Sequence, residues 1–303
     1  MTTRDELAQT IFNRLEAGFA EIQASWLSSS PVQHVAIDNL LPDEAAAEIS
    51  NAFPNSQSLM IRKSIREHKR IGVSVDEYEP IIRETLYAFQ DPRVVEIVER
   101  ITGISGMTPD PTLYASGISV MQQGDFLNPH LDNSHDGDQE KYRVLNLLYY
   151  LGPGWTFESG GNLEVWDSNV KQYTTVVSQF NRLVLMKTDS SSWHSVSKVV
   201  ANTNRLCVSN YYFSLTSPDA KKLFEKSSLV HCESGEHASN LAEVDHRFGG
   251  IGTTLVIFAE AAVVIQPRKR AFDDPPFGQH FKTTGNLADD LDLNSQRLAD
   301  PLR

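Results

Sequence analysis

The sequence predicts a mainly β fold with flanking helices, in which a double-stranded β-helix, or jelly roll, forms the core. From Leu113 onward, eight short segments rich in β-branched and aromatic residues follow one another, which is the composition of strands. Gly, Asn, Asp and Pro separate these segments, and no helical stretch lies between them. Such a series of short strands is typical of two facing sheets with a cavity between them.

The punctuating residues divide this region into individual strands. The predicted strands lie near residues 113–122, 127–132, 143–151, 162–166, 170–177, 180–187, 193–199 and 205–213. We therefore predict three parts: a helical or α+β support region over 1–110, the jelly-roll core over 111–217, and a C-terminal extension of unknown role over 218–303. Within the extension, residues 251–266 are predicted as a buried strand or helix.

Helical periodicity marks the support region. Apolar residues at positions 7, 11, 15, 19, 22 and 26 recur every three or four residues and so share one helix face. Thr3 and Glu6 have the spacing of a capping box at the start of this helix. Further helices are predicted from near Pro42, over Tyr78–Phe89 and over Pro92–Ile101.

One basic stretch, Ile61–Arg70, stands out in an otherwise acidic chain. Two interpretations remain open for it. It either helps to hold an anionic group of a substrate, or it is a solvated charged face, and the second interpretation is the more common origin of such a run.

Composition limits the classes of partner. The 303 residues carry a formal net charge of −12, which disfavours a broad nucleic-acid or anionic-membrane surface. Cys207 and Cys232 are too few for a disulfide framework, and the N-terminus has no apolar signal-peptide core. We expect a soluble, cytoplasmic protein whose partners are small molecules, with no nucleic acid and no membrane. The oligomeric state is left open.

A metal site is predicted from His130, Asp132 and His194. His130 and Asp132 are two residues apart on a predicted strand, so both side chains project from the same face. His194 opens a later strand, and in a jelly roll the seventh strand can lie beside the second. Two histidines and one carboxylate form the facial triad of non-haem Fe(II) oxygenases. A structural zinc site would instead use a closed tetrahedral set, usually with thiolates.

Arg205 lies at the head of the last predicted strand, eleven residues after His194. Its planar guanidinium matches a carboxylate and stays charged when buried, which suits the distal carboxylate of 2-oxoglutarate. The alternative is an ordinary arginine at a strand end.

These residues and their order resemble a known family. The stretches that carry the likeness are His130–Asn133, Arg143–Gly152, Trp155, Ser159–Leu163, Trp193-His194 and Arg205. They resemble the 2-oxoglutarate/Fe(II)-dependent dioxygenase superfamily, and within it the prolyl hydroxylase-like branch, over about residues 113–214. The resemblance implies Fe(II) bound by His130, Asp132 and His194, 2-oxoglutarate bound by Arg205 and Tyr150, and ascorbate as a candidate reductant. Tyr149 and Asn146 are weaker candidates for the co-substrate site. Alternation along the strand directs Tyr149 to the face opposite Tyr150, whereas Asn146 shares the face of Tyr150.

The resemblance implies an oxidoreductase that hydroxylates an unactivated C–H bond and converts 2-oxoglutarate and O2 into succinate and CO2. We expect the substrate to be a small molecule, an amino acid or a natural-product intermediate. One alternative is a prolyl hydroxylase that acts on a protein or peptide. Alternatives of another class are a cupin-like metal-binding protein without redox chemistry and a metal-dependent isomerase or hydrolase on a similar barrel.

Overall fold

The computed structural model describes residues 2–72 and 74–219, together with the backbone of residues 254–258 and 261–265. All of these residues lie within one compact unit, residues 1–267. No helix in this described part is long and apolar enough to cross a membrane. The His-containing segment with Cys232, His231, His237 and His246 lies outside the described residues.

Five helices form the N-terminal part: α1 Arg4–Ala17, α2 Phe19–Ser28, α3 Asp43–Asn51, α4 Pro80–Ala88 and α5 Pro92–Thr102. Short 3-10 turns cover Ser56–Ser58, Val75–Glu77 and Phe157–Ser159. The Thr3–Glu6 capping box is present, and Gly103 ends α5 in the left-handed conformation that glycine adopts without strain. The predicted first helix differs from the structure, because it divides at Gly18 into α1 and α2.

The eight predicted strands are all present, and four earlier strands precede them. The strands are β1 His34–Asp38, β2 Met60–Lys63, β3 Glu67–Gly72, β4 Met107–Thr108, β5 Gly117–Met121, β6 Phe126–His130, β7 Tyr142–Tyr150, β8 Leu163–Trp166, β9 Tyr173–Val176, β10 Arg182–Lys187, β11 His194–Val196 and β12 Arg205–Ser214. Two further strands, β13 Thr254–Phe258 and β14 Ala261–Ile265, pair as an antiparallel hairpin in the predicted 251–266 segment.

The strand order is that of a jelly roll. β1, β10, β7, β12 and β5 pair in sequence as one sheet, and β6, β11, β8 and β9 pair as the other. β3 pairs with both β5 and β6 and so joins the two sheets on one side. The predicted neighbourhood of the seventh and second core strands is confirmed, since β11 pairs with β6.

The two faces of β7 contact different cores. Leu147 and Tyr149 belong to the large apolar cluster that includes the helices α1 to α5, so this face carries the helical layer. Tyr150 belongs to a second cluster together with residues of β8, β10 and β12, which lies between the two sheets. The alternation along β7 therefore points Tyr150 and Asn146 into the barrel, as predicted, and Tyr149 away from it.

The basic stretch Ile61–Arg70 forms the hairpin β2–β3 rather than a freely solvated face. The β2 residues are exposed, whereas β3 is partly buried because it pairs inside the sheet. Sequence periodicity missed this hairpin, because charged residues alternate poorly with apolar ones along it.

Candidate active site

The three predicted metal ligands converge on one point inside the barrel. His130 and His194 are direct cross-strand partners on β6 and β11, and their ring centroids lie 4.2 Å apart. Asp132 follows the end of β6, with Oδ1 3.5 Å from His130 Nε2 and Oδ2 3.7 Å from His194 Nε2. One potential ligand atom from each residue lies within 4.8 Å of the other two. In the described part of the chain, no other group of three His, Cys, Asp or Glu side chains has this spacing.

Backbone carbonyls orient both imidazoles. Nδ1 of His130 lies 2.8 Å from the Asn128 carbonyl oxygen, and Nδ1 of His194 lies 2.9 Å from the Ser192 carbonyl oxygen. Because a carbonyl oxygen only accepts, each Nδ1 carries the proton and donates it. This leaves the Nε2 lone pair of each ring directed toward Asp132, which is the arrangement of a metal-binding histidine.

Burial keeps both rings neutral. Burial, with smaller contributions from Arg66 and His194, lowers the pKa of His130 to about 3, and the nearby Asp132 offsets only part of this effect. The pKa of His194 is also lowered, chiefly by burial. Burial acts to raise the pKa of Asp132, but His194 and Arg143 outweigh this effect and hold it well below its usual range. The triad therefore has two neutral nitrogen donors and one carboxylate at physiological pH, as a divalent metal requires.

Three side chains hold Asp132 in place. Arg143 NH1 lies 3.2 Å from Asp132 Oδ2, and Asn146 Nδ2 donates to the same oxygen at 2.8 Å. Thr188 Oγ1 donates to Asn146 Oδ1 at 3.1 Å and so fixes the orientation of that amide. The Arg143 guanidinium also stacks over the Tyr211 ring at 4.2 Å. Since Oδ2 is used in this way, Oδ1 is the oxygen that remains for a metal.

A second polar site inside the barrel surrounds Arg205. Arg205 is buried, and its guanidinium carbon lies 4.8 Å from the centre of the Tyr150 ring. Arg205 Nε donates to Ser178 Oγ at 3.1 Å. No carboxylate within residues 2–72 and 74–219 pairs with this guanidinium. A buried cation without an anion is costly, so the site is complementary to an anionic ligand.

The Tyr150 hydroxyl lies in the same region. It is buried, and no described residue forms a hydrogen bond of good geometry with it. Burial raises the pKa of the Tyr150 phenol well above its usual value, and the nearby Arg205 offsets only part of this rise. The hydroxyl therefore keeps its proton and can donate to a ligand oxygen beside Arg205.

Comparisons with known proteins agree with this geometry. Residues 116–213 match the family model of the 2OG-Fe(II) oxygenase superfamily. Prolyl 3-hydroxylase OGFOD1 of Mus musculus is 30% identical over 126 residues, which are 39% of this chain and 22% of the mouse protein. The chain thus matches about a fifth of the length of this curated relative.

Two solved structures to which the chain is similar come from bacteria. A prolyl-4-hydroxylase from Pseudomonas putida is 15% identical with a TM-score of 0.49, and the match covers 64% of this chain and 98% of that one. HygX from Streptomyces hygroscopicus, solved with nickel, 2-oxoglutarate and hygromycin B, is 12% identical with a TM-score of 0.45, covering 65% and 86%.

The family match includes all three convergent side chains and Arg205. Residues 116–213 therefore resemble the 2OG-Fe(II) oxygenase superfamily. The curated relative is a prolyl 3-hydroxylase, in agreement with the resemblance to prolyl hydroxylases in the sequence. The matched residues run from β5 to β12, which are the strands that build the barrel.

The barrel contains polar residues at the candidate site to which the sequence assigned no role. Asn146 is predicted at the co-substrate site, and in the structure its amide donates to Asp132, a candidate metal ligand. Arg143, Thr188 and Ser178 received no role from the sequence. Their contacts depend on strand register and on turn geometry between strands far apart in the chain, which no local motif reveals.

Replacing Asn146 with leucine tests the support of Asp132. We expect iron affinity to fall about 10- to 100-fold, because loss of an outer hydrogen bond allows the carboxylate to rotate. Thr188→Val should give a smaller loss in the same direction, since it removes only the contact that orients Asn146. Anaerobic metal titration measures both, and an unchanged affinity in Asn146→Leu would show that Arg143 alone positions Asp132.

Proposed function

We propose that this protein is an Fe(II)- and 2-oxoglutarate-dependent dioxygenase that hydroxylates a C–H bond. The observation that carries the proposal is the presence, in one barrel, of two neutral histidines beside a carboxylate and of a buried arginine that no acidic residue within 2–72 and 74–219 pairs with. The triad suits a ferrous ion with open coordination positions, and the buried arginine suits a dicarboxylate. A metal-binding protein without redox chemistry would not need the buried arginine.

The donor set fits iron. Two imidazole nitrogens and one carboxylate oxygen occupy one side of the site, which leaves positions for a chelating co-substrate and for O2. Bound Fe(II), with 2-oxoglutarate and O2, supplies the oxidising chemistry, while the protein supplies positions and charge. His130 and His194 would bind the metal through Nε2 and Asp132 through Oδ1, while Arg143 and Asn146 keep that carboxylate oriented.

Arg205 and Tyr150 hold the co-substrate at its far end. The guanidinium neutralises the distal carboxylate, and the Tyr150 hydroxyl donates to one of its oxygens. The apolar residues around them, including Val184 and Met186, exclude water from the bound chain. This arrangement directs the keto acid end of 2-oxoglutarate toward the metal.

Hydroxylation is the proposed outcome because Asp132 is retained. By resemblance, related halogenases have a small residue at this position, where a halide then binds. We propose a small-molecule substrate, with ascorbate as reductant and a cytoplasmic location. A prolyl residue of a protein is the second candidate, which the likeness to mouse prolyl 3-hydroxylase favours.

The proposed activity is tested by succinate formation. Purified protein with Fe(II), 2-oxoglutarate, O2 and ascorbate is assayed against free amino acids and proline-containing peptides. We expect one class to stimulate succinate formation, and omission of iron to abolish it. A slow hydrolysis or isomerisation that needs neither O2 nor 2-oxoglutarate would contradict the proposal.

The role of Tyr150 is tested with Tyr150→Phe. We expect the 2-oxoglutarate requirement to rise about tenfold or more, because a hydrogen bond to a charged group is worth about 1.5–3 kcal/mol. Thermal stability should stay within about 0.5 kcal/mol of wild type, since the described residues leave this hydroxyl without a hydrogen bond to lose. An unchanged requirement would place the co-substrate elsewhere.

A further inference from the structure

A polar pocket borders Asp132 and opens to solvent. Its lining includes Arg143, which pairs with Asp132, and Asp189 and Ser190, which precede β11. Asp219, which follows the end of β12, also lines this pocket. Asp219 lies beyond residues 116–213, so the family match gives it no role. Because the pocket adjoins a candidate metal ligand, a molecule bound in it would lie beside the metal.

The turn before β11 holds Asp219 at the pocket. Ser190 Oγ donates to Asp219 Oδ1 at 2.7 Å, and the Ser190 backbone N–H lies 3.3 Å from each of the two carboxylate oxygens. Asp189 fixes the same turn, since it accepts from the Ser191 backbone N–H at 2.8 Å. This turn leads directly into His194, so the position of Asp219 is tied to that of a candidate metal ligand.

The three carboxylates of the pocket are not equally neutralised. Asp132 Oδ2 lies 3.2 Å from Arg143 NH1, and Asp189 Oδ2 lies 2.9 Å from Lys187 Nζ. Asp219 accepts only from the neutral groups of Ser190, and among the described residues it has no cationic partner. The half-buried carboxylate of Asp219 therefore gives the pocket a negative charge that a cationic ligand would balance.

Arg143 independently indicates that the pocket receives a ligand. Its side chain is only 6% exposed, and its Nε has no hydrogen-bond partner among the described residues. A guanidinium has five N–H donors, and the stacking over Tyr211 uses the face of the group rather than these donors. A buried donor without an acceptor is costly, so an oxygen atom of a ligand would stabilise this side of the pocket.

We propose that the prime substrate carries a free amino group, which Asp219 binds in the pocket beside the metal site. This inference rests on the proposed dioxygenase function and names the substrate class. An ammonium group is a compact cation with three donors and suits a carboxylate that has only neutral partners. The net charge of −12 also favours the approach of a cationic group.

Arg143 takes an oxygen of the same molecule. A free amino acid has both the ammonium group and the oxygen that the pocket requires. An internal prolyl residue of a protein has no ammonium group, so the inference favours the small-molecule substrate over the peptide.

The test uses full-length protein with Fe(II) and 2-oxoglutarate under anaerobic conditions. The probes are the twenty proteinogenic L-amino acids and their N-acetyl derivatives, in which the α-amino group no longer carries a charge. The readouts are a change in the visible charge-transfer band of the complex and, in air, stimulated succinate formation. We expect at least one amino acid to act at a concentration about tenfold or more below that of its N-acetyl derivative.

Asp219→Asn removes the charge but keeps an oxygen that can accept from Ser190. We expect it to raise the required amino acid concentration about tenfold or more, with little change for the N-acetyl derivative and an unchanged 2-oxoglutarate requirement. Asp219→Glu keeps the charge and should restore part of the effect. Asp76→Asn is the matched control, because it removes a carboxylate whose side chain is 89% exposed, and it should behave as wild type.

Three outcomes would overturn the inference. They are equal responses to an amino acid and its N-acetyl derivative, no response to any amino acid, or an Asp219→Asn protein in which both requirements rise equally, which would give Asp219 a purely structural role. In each of these cases the charge-transfer band still forms. A failure of the proposed function is different, because then no band forms in wild-type protein.

Discussion

Replacing Asp132 with alanine is expected to reduce substrate-stimulated succinate formation below detection. The change removes the only anionic ligand of the triad and leaves two neutral imidazoles, which bind a ferrous ion much more weakly. It also leaves Arg143 buried without its carboxylate, a change that typically destabilises a protein by about 3–5 kcal/mol. Succinate formation and iron content are measured on the same preparation.

Because the alanine variant is expected to lose stability, Asp132→Asn serves as a second variant. It keeps the shape of the side chain and an oxygen for Arg143, so it should fold while still losing most iron affinity. Asp138→Ala is the matched control, since this carboxylate is exposed in the loop that follows. Turnover at the wild-type rate in a folded Asp132→Asn or Asp132→Ala protein would refute the metal assignment.

Replacing Arg205 with alanine is expected to raise the 2-oxoglutarate requirement by about 30-fold or more. Truncating one partner of a buried charge pair costs about 2–5 kcal/mol, and each 1.4 kcal/mol is a factor of ten in affinity. Iron binding should stay near that of wild type, because Arg205 makes no contact with the triad among its recorded contacts. The measurement is the dependence of succinate formation on 2-oxoglutarate concentration.

The control for this variant is Arg100→Ala, an arginine that pairs with Glu16 on the protein surface. A surface pair contributes about 1 kcal/mol or less, so its loss should leave the 2-oxoglutarate requirement unchanged. If Arg205→Ala also leaves it unchanged, the distal carboxylate is bound elsewhere in the barrel. If instead iron binding is lost, Arg205 has a structural role.

The sequence predicted the barrel well because its signals are local. Turn residues separate the eight core strands, and the alternation along β7 correctly assigned Tyr150 and Tyr149 to opposite faces. The convergence of His130 and His194 was predictable because the jelly-roll order brings β11 beside β6, which makes the two residues cross-strand partners. The jelly-roll topology thus predicts that two histidines far apart in the sequence lie side by side.

The rest depended on register and burial, which local patterns do not encode. The hairpin β2–β3 was missed because its charged residues alternate poorly with apolar ones, and the pairs of Arg70 with Asp125 and of Lys69 with Glu67 form only in the folded chain. Asn146 was assigned to the correct face, but its neighbour on that face is Asp132. Alternation along a strand shows which way a side chain points but not which residue it reaches. It therefore could not show whether Asn146 contacts the co-substrate or Asp132.

The central claim is that His130, Asp132 and His194 bind one ferrous ion to which 2-oxoglutarate then chelates. Anaerobic addition of Fe(II) to the protein with 2-oxoglutarate, followed by visible absorption, tests it most directly. The account predicts a weak charge-transfer band that saturates at one iron per chain and is absent in Asp132→Ala. Failure of wild-type protein to develop the band, or its full retention in that variant, would contradict the account.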